Sequence, residues 1–338
     1  MTLSQTISPL DAPAIRWGIL GPGGIAHRFA REVQAYTRSQ IVAVGSRDLG
    51  RAQGFAAEAC PQARAYGSYE ALVADGEVDA VYIASPHSEH HDHALLALAA
   101  GKPVLVEKSF TLNAAQAREV FNLAGAKGLF AMEAMWSRFL PHYSVMRELV
   151  RAGDLGEVRS ILGLHAQSLN MDPAWRMMNP ALGGGALLDL GIYPISLIHW
   201  LWGVPDQVEA TGVLTDTGVD LRENISLWYG EHLATAYVDM SVSARNNLQV
   251  LGTGGRVEID DWFYNPQDLV VTLADGKERI LETKVEGGFQ YEAAEAARCI
   301  AAGMQQSPLM PWTATVEILA VMDEVRRQIG VVYPQERD

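Results

Sequence analysis

A glycine-rich loop joins the first apolar run of the chain to a helical segment and restricts the fold more than any other feature. The loop follows Ile15–Leu20 and has glycine at Gly21 and Gly23 and alanine at Ala26. The two glycines permit a tight turn and a close approach of the backbone to a pyrophosphate. The small third residue lets helix and strand pack closely. This G-x-G-x-x-A spacing after a strand predicts a dinucleotide-binding α/β domain.

Backbone N–H groups at the start of that helix would face the phosphates of a bound nucleotide. The candidate residues of the loop are Gly21, Gly23, Gly24, Ile25 and Ala26. A glycine-rich turn that binds no ligand is the alternative interpretation. The position between strand and helix favours the nucleotide site.

The rest of the first half alternates between short β-rich runs and alanine-rich helical stretches. The further runs are Gln40–Gly45, Ala80–Ala84, Pro103–Val106 and Leu129–Met132. The helical stretches are Ala26–Tyr36, Gly50–Ala59, Ser68–Ala74, His90–Ala100 and Ala114–Ala126. This alternation predicts βαβ units and a doubly wound parallel sheet with both faces covered.

The second half of the chain has a different pattern of apolar and polar residues. From Gln207 to Glu282 it alternates and is rich in turns, which predicts a mostly antiparallel sheet with helices on one face. The hairpin candidates are Tyr229-Gly230-Glu231, Gly254-Gly255 and Asp275-Gly276. The other predicted elements are helices at Tyr143–Arg151, Gly185–Leu201, Gln290–Ala302 and Ala314–Ile329 and a strand at Val158–Leu164. Residues 1–14 are expected to form a flexible tail.

Composition limits the partners and the compartment. The net charge of −14 disfavours nucleic acid and anionic membrane surfaces, which both attract basic proteins. No apolar run approaches the ~20 residues that span a bilayer, so we expect no membrane segment. Cys60 and Cys299 are far apart and are expected to be free thiols in a reducing cytoplasm.

The residues after the second run distinguish the two nicotinamide cofactors. An NAD-selective domain usually has an acidic residue there, which binds the ribose 2'-hydroxyl. This chain has Ser46 and Arg47, with Arg51 one helical turn beyond. A hydroxyl and a guanidinium suit a 2'-phosphate, so we expect NADP rather than NAD. The alternative is that both arginines are solvated charges at the start of a helix.

Lys108 follows Glu107 at the end of a run typical of a buried strand. The carboxyl ends of parallel strands border the ligand crevice of an open α/β sheet. We therefore expect Lys108 beside the nicotinamide, although a lysine that leaves a strand for solvent fits the same pattern.

Asp189 and Tyr193 follow the run Gly183–Gly185 and project from one face of a predicted helix. Hydride transfer from an alcohol carbon needs a base for the hydroxyl proton. A phenol with an ordinary pKa of about 10 needs a neighbouring cation for this role near pH 7. We predict Tyr193 as general acid/base, Lys108 as the tuning cation, and Asp189 as the group that orients the lysine or the substrate. Two alternatives are Lys108 as the base and a structural Asp–Tyr hydrogen bond in the core.

Other side chains are candidates for the substrate cleft. Aromatic platforms and hydrogen-bond donors for a sugar are expected from Trp136, Arg138, Trp175 and Arg176. The alternative for the two tryptophans is a place in the core. Four histidines crowd one segment, but no carboxylate or cysteine set completes a metal site, so no metal is expected; they are His87, His90, His91 and His93. His90 is a candidate contact to cofactor or substrate.

The chain resembles the glucose-fructose oxidoreductase / inositol dehydrogenase (Gfo/Idh/MocA) family from Ile15 to Pro334. The matching pieces are Gly21–Ala26, Ser85-Pro86 with His90, Gly101-Lys102-Pro103, Glu107-Lys108, Gly153–Gly156, Trp175-Arg176 and Gly183–Tyr193. Tyrosine at Tyr193, the segment Met135–Phe139 and the tail Gly330–Pro334 are similar to the branch of dimeric dihydrodiol dehydrogenase and NADP-dependent D-xylose dehydrogenase.

The resemblance implies a Rossmann domain at residues 15–134 and a C-terminal α+β domain at 135–338. The second domain would have a large, mostly antiparallel open sheet, bind the substrate and form a homodimer through that sheet. The resemblance also implies catalysis by Lys108, Asp189 and Tyr193 and cofactor contacts by Ser85, His90 and Glu107. One position departs from the family, because Ser109 stands where a proline, often in a cis bond, usually follows the lysine.

These observations predict a cytoplasmic NADP-dependent oxidoreductase that acts on a CH–OH group of a sugar or polyol. The alternative enzyme is a trans-dihydrodiol dehydrogenase, favoured by an aromatic slot rather than a polar cleft. An alternative of another class is a non-catalytic NADP-binding regulator. The presence of Lys108, Asp189 and Tyr193 argues against the regulator, since a sensor needs only the nucleotide loop.

Overall fold

The computed structural model describes residues 7–336, and the chain divides into two compact units. Within the described residues, the first unit consists of 7–136 and Gly287–Val316. The second unit consists of Ser137–Glu286 and residues 317–336. The prediction placed residues 287–316 in the C-terminal domain, whereas the structure groups them with the N-terminal part.

Hydrogen bonds explain why this later segment belongs to the first unit. The backbone N–H of Phe289 donates to the buried carboxylate of Glu32 at 2.9 Å. The indole N–H of Trp312 donates to the carbonyl oxygen of Ala131, also at 2.9 Å. Buried polar groups need such partners, so the first unit is complete only when the segment is in place.

The first unit contains a sheet of six strands, which lie in the order β3-β2-β1-β4-β5-β6. Every pairing in it is parallel. The strands are β1 (Arg16–Leu20), β2 (Gln40–Gly45), β3 (Arg64–Tyr66), β4 (Ala80–Ile83), β5 (Val104–Glu107) and β6 (Ala131–Ala134). This is the doubly wound order, in which the topological switch lies between β1 and β4. The predicted parallel sheet is confirmed, with β3 as an additional strand.

The helices of this unit match the predicted stretches closely. They are α1 (Gly24–Tyr36), α2 (Leu49–Ala59), α3 (Tyr69–Val73), α4 (His90–Ala99), α5 (Ala114–Lys127) and, later in the chain, α8 (Phe289–Ala301). The core between sheet and helices is aromatic: the ring of Phe29 stacks on Tyr82 at 3.7 Å and meets the edge of Trp17 at 5.7 Å. All three rings are fully buried, which stabilises the packing of α1 on the sheet.

The second unit contains a mixed sheet of eight strands in the order β14-β13-β12-β11-β7-β10-β9-β8. Its strands are β7 (Val158–Ala166), β8 (Gln207–Leu214), β9 (Asp220–Tyr229), β10 (His232–Asp239), β11 (Asn247–Gly252), β12 (Gly255–Ile259), β13 (Leu269–Leu273) and β14 (Glu278–Leu281). Only β7 and β10 pair in parallel among these strands. The mostly antiparallel sheet and its three predicted hairpins are confirmed.

The second unit also contains α6 (Pro141–Ala152) and α7 (Ile192–Trp202). Helix α9 (Trp312–Ile329) begins in the first unit and continues in the second. The stretch Pro180–Trp202 is helical and apolar enough to cross a membrane by length and composition, which the sequence prediction missed. Because 83% of its most apolar window is buried inside the protein, the same stretch also fits a core helix.

The predicted N-terminal tail is partly ordered. Residues 1–6 lie outside the described residues. Pro9–Asp11 forms a short 3-10 helix, and the side chain of Ala12 is buried. The guanidinium of Arg38 donates to the carbonyl oxygen of Ala12 at 2.9 Å, which ties this stretch to the body of the first unit.

Candidate active site

The glycines of the nucleotide loop have two different physical roles. Gly21 has φ +94°, and a Cβ there would lie 2.8 Å from the backbone nitrogen of Ser85. This position therefore accepts only glycine. At Gly23 and Gly24, by contrast, a Cβ would meet no atom of the described residues within 4 Å. Helix α1 starts at this open space with no side chain capping its backbone N–H groups, so those groups are available to an anion.

Arg47 lines a cavity of about 570 Å³ at the end of β2. The other walls include Ser68, Tyr69 and His93. Burial raises the pKa of Tyr69, and the positive charges of Arg47 and Arg51 oppose that rise, so both guanidinium groups act on this phenol. The cavity thus combines an aromatic wall with the guanidinium of Arg47.

Ser46 differs from the expectation that its hydroxyl would bind a phosphate. The residue is only 4% exposed, and its Oγ accepts a hydrogen bond from the backbone N–H of Asp48 at 3.2 Å. Arg47 and Arg51 are both exposed. The arginines are therefore the better-placed groups for an anion at this edge.

Lys108 lies in a loop that His90 connects to the loop after β4. The ring of His90 is fully buried, and its two nitrogens lie 2.8 Å from the carbonyl oxygens of Ser85 and Ser109. Burial lowers the pKa of His90 to about 4, so the uncharged ring at neutral pH donates to one of the two carbonyls. The Lys108–Ser109 peptide bond is cis.

Glu107 points into the protein rather than toward a ligand. Its side chain is buried and is hydrogen-bonded to the hydroxyl of Tyr82. The carboxylate is thus engaged inside the first unit, and its expected contact with the cofactor stays a prediction.

Asp189 and Tyr193 lie at the start of the buried helical stretch of the second unit. Asp189 belongs to a π-helical turn, Leu187–Gly191, and Tyr193 to the first turn of α7. Such turns are rare in proteins and occur frequently at functional sites. The guanidinium of Arg176 donates to the Asp189 carboxylate at 3.3 Å, and Tyr193 is 6% exposed. The structure thus brings Arg176, Asp189 and Tyr193 to one region.

An imidazole and a second phenol surround Tyr193, and the sequence prediction missed both. The ring of Tyr193 lies 4.8 Å from Tyr264 and 5.4 Å from His165. His165 Nδ1 donates to the carbonyl oxygen of Leu190 at 2.9 Å, so its Nε2 accepts from the amide of Gln167 at 2.7 Å. The same amide lies 2.7 Å from the hydroxyl of Tyr264.

This network fixes the ring of His165 and the hydroxyl of Tyr264 beside Tyr193. Burial raises the pKa of Tyr264 above its usual value, and the neighbouring Tyr193 and Asp189 add to the rise. Tyr264 therefore stays a neutral phenol near pH 7. The available sequence signal was weak: His165 and Gln167 are two residues apart at the end of β7, a spacing that places side chains on one face of a strand.

Two of the four predicted cleft residues are in the interior. Trp136 is 2% exposed, stacks on Phe289 at 5.0 Å and lies under the guanidinium of Arg28 at 4.5 Å. Arg138 is 3% exposed and lies over the ring of Trp200 at 4.2 Å. Aromatic packing engages both side chains, and a substrate contact by either one stays a prediction.

The other two predicted cleft residues are more accessible. Trp175 packs at the edge of a buried cluster that includes Met177 and Leu190, and Arg176 is exposed apart from its contact with Asp189. Among residues 7–336, no group of three histidine, cysteine or acidic side chains is arranged to hold a metal ion. His93 instead bonds the Ser85 hydroxyl at 2.8 Å.

Two family models match this chain. The model described as "Oxidoreductase family, NAD-binding Rossmann fold" covers residues 15–135. A model of the GFO/IDH/MocA C-terminal domain covers residues 143–258. Together they span both units that carry the candidate residues.

Full-length relatives have similar sequences. The chain is 36% identical over 336 residues to trans-1,2-dihydrobenzene-1,2-diol dehydrogenase of Macaca fuscata fuscata, covering 96% of this chain and 99% of the relative. It is 34% identical over 365 residues to D-xylose 1-dehydrogenase (NADP(+)) of Hypocrea jecorina, covering 95% of this chain and 93% of the relative.

Solved structures have the same fold. The 3-ketoreductase KijD10 of Actinomadura kijaniata, in complex with NADP and TDP-benzene, matches with a TM-score of 0.83 and 26% identity over 94% of this chain and 98% of its own. The aldose-aldose oxidoreductase of Caulobacter crescentus, complexed with glycerol, matches with a TM-score of 0.83 and 26% identity over 94% of this chain and 97% of its own.

Proposed function

Since the chain belongs to the Gfo/Idh/MocA oxidoreductase family, we propose that Lys108, Asp189 and Tyr193 serve hydride exchange between a substrate CH–OH group and NADP. The protein is an enzyme that acts on the hydroxyl group of a sugar, polyol or cyclic diol. Its relatives are dehydrogenases of such compounds. NADP, when bound, accepts or supplies the hydride at its nicotinamide ring.

The residues of the first unit fit this cofactor. The open space beside Gly23 and Gly24 leaves room for a pyrophosphate at the uncapped start of α1. The cavity that Arg47 and Tyr69 line has an aromatic wall for an adenine ring and a guanidinium for a 2'-phosphate. An arginine can bind a phosphate with two parallel hydrogen bonds, which supports NADP over NAD.

Tyr193 holds the proton that the substrate oxygen gains or loses. A phenol with an ordinary pKa of about 10 is a weak base at pH 7, so the mechanism assigns the ammonium of Lys108 to stabilise the phenolate. Asp189, held by Arg176 at 3.3 Å, orients the substrate hydroxyl or the lysine. In the alternative mechanism Lys108 itself is the base, and the experiment below distinguishes the two mechanisms.

The arrangement of Arg176, Asp189 and Tyr193 at one helix start carries this proposal. A partly accessible carboxylate is held by a guanidinium, and a nearly buried phenol lies in the same two turns. Both members of this ion pair are accessible to a substrate, with side chains 45% and 16% exposed.

Substitution of the two candidate bases tests the assignment. Tyr193→Phe should lower kcat by a factor on the order of 100 or more and leave the affinity for NADP unchanged, because general acid–base catalysis contributes ~10²–10⁴-fold. Tyr36→Phe is the matched control, since it removes an exposed phenol from the end of α1. Near-normal turnover of Tyr193→Phe, together with inactive Lys108→Met, would move the base to Lys108.

The substrate class is tested by nicotinamide absorbance with a panel of aldoses and cyclic trans-diols. The region of Tyr193 offers polar groups at Arg176 and Asp189 and an aromatic wall at Tyr264 and the 43% exposed Trp262. The aromatic wall favours the diol as the second candidate. Tight NADP binding without turnover of any panel member would instead support a regulator.

We also infer a cytoplasmic homodimer that assembles through the eight-stranded sheet. Leu162 and Tyr237, on the paired strands β7 and β10, are 39% and 36% exposed, which is high for large apolar side chains. Cys60 and Cys299 are free and buried, in keeping with a reducing compartment. Leu162→Lys should convert the dimer to a monomer in light scattering. A wild-type mass of one chain would contradict the dimer.

A further inference from the structure

The segment after α9 contacts the glycine run that precedes Asp189 and Tyr193. We name residues Val331–Glu336 the C-terminal strap. The side chain of Tyr333 is fully buried, and its hydroxyl donates to the carbonyl oxygen of Gly184 at 2.9 Å. The amide of Gln335 donates to the carbonyl oxygen of Ala181 at 2.7 Å. The proposed reaction makes no use of this segment.

The strap is itself held in place by a charged anchor on α9. The guanidinium of Arg326 is bound to both carboxylate oxygens of Glu336, at 2.7 and 2.9 Å, and to Asp323 at 2.8 Å. It lies 4.9 Å from the centre of the Tyr333 ring and is 5% exposed. A buried, bidentate arginine of this kind fixes the direction of the phenol.

The glycine run that receives this hydroxyl has little room to move. The backbone N–H of Gly185 donates to the carbonyl oxygen of Met177 at 2.9 Å, and a Cβ at Gly184 would lie 2.4 Å from the same oxygen. The backbone N–H of Leu187 donates to the buried carboxylate of Asp220 at 2.5 Å. Strand β9 and the strap thus hold the start of the helix from two sides.

We propose that the C-terminal strap positions the helical stretch of residues 187–202, with Tyr333 as a positioning residue that acts through Gly184 on Asp189 and Tyr193. This inference rests on the proposed function, because it assigns the strap to the geometry of those two side chains. Catalytic groups need placement within about 0.5 Å, so one hydrogen bond at the start of their helix affects the rate without touching the substrate.

Tyr333→Phe tests the strap because it removes the hydroxyl and keeps the ring. Tyr229→Phe is the matched control: that phenol donates to the carbonyl oxygen of Gly203, at the opposite end of α7, at 3.1 Å. We expect Tyr333→Phe to lower kcat on the order of 10-fold, since a misplacement of ~1 Å costs up to ~10²-fold. Its affinity for NADP should stay unchanged by tryptophan quenching. Tyr229→Phe should retain kcat.

The pH profile of kcat distinguishes positioning from stability alone. A displaced Tyr193 changes the electrostatic environment of its phenol, so the profile of Tyr333→Phe should shift, whereas a purely structural loss lowers the melting temperature and leaves the profile in place. Equal kcat losses in Tyr333→Phe and Tyr229→Phe, or an unchanged kcat in both, would overturn the proposal.

Two further variants complete the test. If Tyr333→Phe does not fold, Gln335→Leu removes only the exposed contact with Ala181 and should lower kcat on the order of threefold, as a smaller displacement. An unchanged kcat of Gln335→Leu would then overturn the proposal. Tyr193→Phe is measured in the same panel to separate the two proposals. Normal activity of this variant would contradict the proposed function, whereas it would leave the hydrogen bonds of the strap unquestioned.

Discussion

Two glycine-rich turns of this protein have similar compositions and opposite surroundings. In the nucleotide loop, a side chain at Gly23 would enter open space within the described residues. In the turn before Asp189 and Tyr193, a side chain at Gly184 would lie 2.4 Å from a backbone oxygen, and one at Gly185 would lie 2.1 Å from the Asp220 carboxylate. The first turn leaves space for a ligand. In the second turn, the absence of side chains lets other parts of the protein pack directly against the backbone.

This difference gives each turn its own reason for glycine. Glycine at the first turn serves the affinity for a ligand, and glycine at the second serves the stability of the fold. A methyl group at Gly23 meets no atom of the described residues, so it affects only what binds there. A methyl group in the crowded turn displaces the backbone and the elements packed on it. Substitutions at the two turns should therefore have different readouts.

Gly184→Ala should have the largest effect. Its Cβ would collide with the carbonyl oxygens of Met177 and Arg176, at 2.4 and 2.8 Å, which are backbone atoms that cannot rotate away. We expect a loss of more than ~3 kcal/mol in the free energy of unfolding, in the range of severe core overpacking. Urea unfolding measures it. A loss below ~1 kcal/mol would mean that the two turns do not differ in this way.

Gly23→Ala should leave folding unchanged and weaken NADP binding. The backbone at Gly23, with φ −104° and ψ −175°, accepts alanine without strain. A methyl group in the space of a phosphate should raise the Kd on the order of 30-fold, because overpacking costs about 2 kcal/mol. Fluorescence titration and urea unfolding together check both parts. A normal Kd would place the pyrophosphate elsewhere.

Arg47→Ala should weaken NADP binding about 10-fold and leave NAD binding unaltered, because a charge-assisted hydrogen bond contributes about 1.5 kcal/mol or more. Parallel titrations with the two cofactors give the ratio. Arg31→Ala, which removes an exposed positive charge from α1, controls for the change in net charge. Equal effects on both cofactors would contradict the 2'-phosphate contact.

Glu223→Gln should have the smallest effect on stability. It tests whether the carboxyl group of Glu223 is neutral in the folded protein. Glu223 is 1% exposed, and neither carboxylate oxygen has a hydrogen-bond partner among residues 7–336. Burial raises its pKa well above the usual 4.5, and Asp220 and Asp239 add to the rise. The folded state then binds a proton that the unfolded state releases, so stability falls as pH rises above about 4.5.

Urea unfolding at pH 5 and pH 8 measures this contribution. The free energy of unfolding should fall more steeply with pH in the wild type than in Glu223→Gln, because the folded wild type keeps a proton that its unfolded chain releases. Glu231→Gln, at an exposed position, should follow the wild type. Parallel curves for wild type and Glu223→Gln would mean that the acid is not neutral in the fold.

The sequence predicted the first unit well because its signals are local. Strands of a parallel sheet are continuous apolar runs, and the loop at Gly21–Ala26 has a fixed spacing, so both are visible without tertiary information. Strand β3 (Arg64–Tyr66) was missed because it has only three residues. It lies at a sheet edge and is not a continuous apolar run. The late segment Gly287–Val316 was misplaced because its partners, Glu32 and Ala131, are distant in sequence.

The candidate site in the second unit was only partly predictable. Asp189 and Tyr193 followed from glycine spacing and family resemblance, but the π-helical turn around Asp189 has no local signature. His165 lies near the end of β7 and Tyr264 in the loop between β12 and β13, and only the fold of the second unit brings them to Tyr193. Trp136 and Arg138 were expected to bind substrate, yet aromatic and guanidinium groups stack equally well in an interior.

The interleaved order of the two units has a consequence for synthesis on the ribosome. The partners of Glu32 and Ala131 in the segment Gly287–Val316 follow the second unit's main stretch in the sequence, so a nascent chain that ends at residue 286 lacks these two hydrogen bonds. The N-terminal unit therefore cannot make these contacts while it emerges. Its completion must wait until the whole intervening unit has been translated, which extends the time during which apolar surface is exposed to chaperones.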